Sequence, residues 1–152
     1  MTLSAKKLQE VMKEKRRREK LPPRPVIAEL TPLTLKPREL NQVTERCSTV
    51  LLAIETALVQ SARDQSQVDD EIIKQALTCA IRYTSNEIEP VAFVASRLAA
   101  TREQLSVSDE DWVLALRTIC TSVTNHRKRN AGSFSYLTHA RAFLLKANAI
   151  RK

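Results

Sequence analysis

The sequence predicts an all-α protein, a small bundle of about five helices, and three observations carry that prediction. A single Gly stands among 152 residues, against a usual share of ~7%. Hairpin turns and glycine-rich phosphate loops need positive φ, so they have almost nothing to be built from. Beyond residue 37, apolar residues recur at spacings of three and four, which is the period of one helix face. Five of the six prolines lie within residues 21–37, so only Pro90 interrupts the chain after that point.

Residues 1–20 form a basic N-terminal arm. LSAKKLQEVMKEKRRREK contains good helix formers, but Leu8, Val11 and Met12 make only a narrow apolar stripe. A helix with so little to bury is marginal alone, and the arm is expected to be helical but mobile until something binds it. Residues 21–37 read as a Pro-rich extended linker, because proline fixes its own φ and disfavours helix in the residue before it. Fully stretched it would reach ~50 Å. Its apolar residues Val26, Ile27, Leu30, Leu33 and Leu35 also suit it to lie across a folded domain.

Residues 38–152 are the predicted helical bundle domain. Pro37 and Glu39 suit a first turn. Leu40, Val43, Cys47, Val50, Ile54 and Leu58 then run as one stripe, predicting a long helix over about 38–62. A second helix is predicted over about 68–85, with Asp69, Asp70 and Glu71 at its start. Pro90 opens a third, about 89–104. The fourth has the clearest start: Ser108 and Asp111 fit a capping box, with Val107 and Trp112 as a hydrophobic staple. It ends in Asn125-His126-Arg127-Lys128-Arg129, where cations favour a helix C-terminus, and Gly132 is the natural stop. A last helix runs from Ser133 or Ser135 to about Ile150.

The apolar runs Val50–Ile54 and Val91–Ala95 are far short of the roughly twenty residues of a membrane span. Three widely spaced cysteines (Cys47, Cys79, Cys120) fall on apolar faces. They read as core residues in a reducing compartment, the cytoplasm, and not as a disulfide framework. No HExxH motif or close Cys/His grouping supplies metal ligands. The acidic clusters at 69–71 and 109–111 stand where helix N-termini want acids. Each histidine stands at a helix end or face and is expected to have no neighbouring carboxylate. The expectation is a protein that is not an enzyme, with no cofactor, no metal and no small-molecule substrate.

Charge is segregated along the chain. Residues 1–38 hold eleven Lys/Arg and four Asp/Glu, residues 39–111 six and thirteen, and residues 112–152 eight and none. Segregation of this kind favours a polyanionic partner. The segment HRKRNAGSFSY joins three consecutive cations to small hydroxyl residues, two aromatics and the start of a helix. Free N–H groups at such a start attract phosphate, and aromatic rings stack on exposed bases. The expected nucleic-acid contacts are therefore Arg127, Lys128, Arg129, Asn130, Ser133, Phe134, Tyr136 and Arg141. Lys13, Lys15, Arg16, Arg17 and Arg18 of the arm would add phosphate contacts. The resulting expectation is a nucleic-acid-binding accessory protein. The alternative is a helical protein–protein interaction module, an adaptor, loader or inhibitor of a larger machine. Its charged blocks would pair with a protein partner, with each other, or across a homodimer.

Overall fold

The computed structural model describes residues 28–130 and 134–148. Among these residues there are six helices and no strands: α1 (Pro37–Arg46), α2 (Ser48–Asp64), α3 (Asp70–Arg82), α4 (Glu89–Leu105), α5 (Asp109–Asn130) and α6 (Tyr136–Lys146). The basic arm, the first part of the linker, Gly132 and the last four residues lie outside the described residues.

The local start signals act as the sequence predicts. The Asp69 carboxylate accepts the Ile72 N–H at 2.9 Å, and the Ser108 hydroxyl accepts the Asp111 N–H at 3.1 Å. Ser135 accepts the Thr138 N–H at 3.0 Å, so α6 starts at the second of its two candidate serines. Each cap satisfies an N–H that the first helical turn cannot. Pro90 sits in the first turn of α4.

Three boundaries differ from expectation, the simplest being α6, which ends at Lys146 and not near Ile150. The long first helix is two, because the chain breaks at Cys47 (φ −96°, ψ 11°). None of α1 is fully buried, whereas α2 carries Val50, Leu51, Ile54, Ala57 and Leu58 into the core. The break lets α1 turn toward α5, with Arg46 3.6 Å from Asp111. The apolar stripe runs through this bend without interruption, so periodicity alone does not mark it. The second helix stops before Thr84, because Tyr83 takes a left-handed conformation (φ 57°, ψ 41°) and its N–H bonds back to Cys79 O.

The core lies between α2, α3, α4, α5 and α6. Ile54, Leu58, Ile73, Leu77, Leu98, Leu116, Ile119 and Leu144 are completely enclosed, and Trp112 nearly so. Burying one such side chain contributes ~1.5–3 kcal/mol. Cys47, Cys79 and Cys120 are buried and free. Helix α3 runs antiparallel to α5. Asp70 meets Arg127 at one end, and Trp112 Nε1 donates to Ala80 O (3.2 Å) near the other.

The second half of the linker is extended but lies on the bundle. Leu33 N–H donates to Thr121 Oγ1 at 2.7 Å, and Arg117 donates to Thr31 O and Pro32 O at 3.1 and 3.4 Å. Arg82 pairs with Glu29 at 2.6 Å, while Ala28 and Leu30 pack on the core. A strap with no helix or sheet ladder must find partners elsewhere for its backbone groups. Here α5 side chains supply them.

No helix among the described residues is long and apolar enough to cross a membrane.

Candidate polyanion-binding face

The C-terminal end of α5 and the start of α6 meet, as a phosphate-binding corner would require. Arg127 is the hinge of this junction. Its Nη2 lies 2.9 Å from Asp70 Oδ2, its Nε donates to Phe134 O at 2.6 Å, and its guanidinium sits 5.5 Å over the Tyr136 ring. The other oxygen of Asp70 accepts the Tyr136 N–H at 2.7 Å. The junction thus binds an anion, as a cation beside a helix N-terminus should. The anion is a carboxylate of the chain itself. Arg127 and the first N–H of α6 are engaged, and the sequence expectation of a free corner needs that correction.

The aromatic residues are also taken up. Tyr136 is 3% exposed, and its hydroxyl donates to Cys120 Sγ at 3.9 Å. Burial pushes that hydroxyl's pKa well up, and the Cys120 thiol adds to the shift. A buried ring has no face for a nucleotide base, so Tyr136 is corrected from a contact to a core residue. Phe134 is half-buried. It stacks on His126 with centroids 3.7 Å apart and meets His139 edge-on at 6.2 Å. Asn130 turns back to bond His126 O at 3.1 Å, leaving its surface exposed.

Three of the expected contacts remain open. Lys128, Arg129 and Arg141 are exposed, as is Lys146 on α6. Among the described residues no carboxylate pairs with any of the four. All four belong to the stretch after residue 111 that contains no acid. Ser133, Lys13, Lys15, Arg16, Arg17 and Arg18 lie outside the described residues.

One chemically distinctive pair was not anticipated. Glu55, in the middle of α2, is completely enclosed, and its Oε1 lies 2.7 Å from His139 Nδ1 on α6. The ring nitrogen is close but poorly aligned. The two groups are in close contact, and neither carboxylate oxygen has a hydrogen-bond partner among the described residues. Burial pushes the Glu55 carboxyl up to about 7, with His139 pulling it partly back. Phe143 lies nearly parallel to His139, with centroids 6.5 Å apart. His139 therefore does have a carboxylate neighbour, contrary to the sequence reading. The available signal was Glu55 itself, an acid on the same face as Leu51 and Leu58.

Among the described residues no group of three or more His, Cys, Asp and Glu side chains is placed to hold a metal ion. Compared with protein-family models, curated proteins and solved structures, the chain matches none.

Proposed function

We propose that this chain is a non-enzymatic nucleic-acid-binding accessory protein that grips phosphates and does not read bases. The observation carrying this reading is the set of exposed, carboxylate-free cations Lys128, Arg129, Arg141 and Lys146, on the two helices that join at Arg127. The basic arm, with Lys13, Lys15, Arg16, Arg17 and Arg18, supplies a second group of contacts. Binding of this kind is driven by release of counterions from the phosphate backbone and is insensitive to sequence. With Tyr136 buried and Phe134 stacked on His126, base stacking contributes little.

The test is titration of labelled single-stranded and duplex oligonucleotides at roughly 50 and 200 mM salt, where six to ten phosphate contacts imply an affinity loss of about 10³–10⁵. The combined Lys128→Ala, Arg129→Ala, Arg141→Ala variant should flatten the salt slope by about 2 to 3, at ~0.9 per contact. Removing residues 1–27 spares the strap and isolates the arm's share. An unchanged slope in both variants would sink the reading.

A second reading, a protein–protein interaction module, is favoured by the pairing of Arg127 from the basic C-terminal block with Asp70 from the acidic block. The same complementarity can act between copies. Sedimentation of the full chain at low and high salt tests it: a dimer that dissociates with salt supports it, and a monomer at every salt removes self-pairing.

A further inference from the structure

Glu55 and His139 meet where α6 packs on α2, the helix it leans on most. Helix α6 is lightly anchored there. It buries Tyr136, Ala140 and Leu144, whereas α2 and α5 bury eight residues each. Its first residue is tied separately, through the Tyr136 N–H on Asp70 and the Tyr136 hydroxyl on Cys120. Beyond His139, the fully buried side chains of α6 are Ala140 and Leu144. An element that buries so little opens at lower cost than the core.

The groups around the pair leave Glu55 to His139 alone. Phe134 meets the ring edge-on and Phe143 lies nearly parallel to it, so its aromatic neighbours are apolar. On α2 the other charged residues are Arg63 and Asp64 at the far end, and Asp64 pairs with Arg97 of α4. On α5, His126 stacks on Phe134, Arg127 pairs with Asp70 of α3, and Cys120 meets Tyr136. On α1, Arg46 faces Asp111. Arg141 and Lys146 of α6 are exposed. His139 is the one charged group that bears on the Glu55 carboxyl. Both carboxylate oxygens are enclosed and without a hydrogen-bond partner among the described residues. A carboxylate held that way is costly once it is charged.

We infer that the pair is a proton-operated latch: α6 stays docked on α2 while the Glu55 carboxyl keeps its proton, and losing it favours release of α6 from His139 onward with the other helices still packed. Release relieves the penalty because it opens Glu55 to water without unpacking the rest of the core. The docked carboxyl titrates at about 7 against 4.5 for a free one. The latch is therefore fully closed below pH 4.5 and weakens as pH rises through about 7. Since α6 carries Arg141 and Lys146, release also breaks up the basic face. That consequence rests on the proposed function, whereas the latch does not.

Amide hydrogen exchange of the full chain, read residue by residue by NMR from about pH 5 to pH 8, tests this. Each rate is referred to that of an unstructured peptide at the same pH. Protection over residues 139–146 should lie at least about tenfold below that of Leu77 and Leu98, and should fall on the order of 100-fold across the range. Glu55→Gln, which cannot ionise, should abolish the fall. His139→Leu removes the group that holds the Glu55 carboxyl down, so the midpoint of the fall should move to higher pH. A helix that merely packs would not show that movement. Protection in α6 equal to that of the core overturns the inference, because α6 would then open only with the whole fold. So does a fall that persists in Glu55→Gln. If that variant does not fold, an unmoved midpoint in His139→Leu overturns it.

Discussion

Replacing Glu55 with Gln should remove most of one pH dependence from the stability of this fold. Glu55 is completely enclosed, and burial raises its carboxyl from 4.5 to about 7 in the folded chain. Between those values the folded protein holds a proton that the unfolded chain has released. The group's contribution is thus fully present below pH 4.5 and is lost as pH rises through about 7. At 1.36 kcal/mol per unit, the loss amounts to about 3 kcal/mol. For a domain of this size that is on the order of 10 °C in Tm. Glu55→Gln keeps the shape and cannot ionise. Denaturant unfolding of both proteins from pH 5 to pH 8 gives the difference between them, in which titrating groups other than His139, the ring against Glu55, largely cancel. Wild type should lose about 3 kcal/mol relative to the variant over that range, and the variant should be the more stable at pH 8. Parallel stability curves would refute the argument, since they would mean that Glu55 ionises as easily inside the fold as outside it.

Other substitutions probe the junctions. Asp70→Ala removes the partner of Arg127 and the cap on the Tyr136 N–H. It should cost about 2 kcal/mol, and Arg127→Ala a similar amount, since each removes the partly exposed ion pair and one further hydrogen bond, the Tyr136 N–H cap in the first and the Phe134 O contact in the second. A loss well under 1 kcal/mol for Asp70→Ala in urea unfolding would deny Asp70 its second role. Ser106 ends α4 with φ 54°, so Ser106→Gly should raise stability by roughly 0.5 kcal/mol, relief of left-handed strain less the entropy of glycine. A drop in Tm would count against that strain. Leu77 has no exposed surface, and Leu77→Ala should cost ~2–5 kcal/mol by transfer and cavity terms. A loss under 1 kcal/mol would mean that the core around it collapses to fill the gap.

The helical class was legible because its causes are local. The 3.6-residue period, the caps Asp69, Ser108 and Ser135 and the first-turn Pro90 each depend on a few neighbouring residues. A cap is worth ~1 kcal/mol wherever the helix ends up, so the sequence alone determined those features. The functional surface was legible only in part. Charge counts marked the basic blocks, yet they do not say which cations are spent inside the fold. Asp70 reaches Arg127 across 57 residues and Tyr136 across 66, and the strap reaches Thr121 across 88. Glu55 meets His139 only because α2 and α6 pack face to face. The break at Cys47 likewise has no marker in the apolar pattern, which runs through it unchanged. Tertiary structure decided these pairings because a side chain's partner is set by which helix faces meet, and packing chooses those faces by shape and buried area summed over the whole core. That sum is not written in any one stretch of chain.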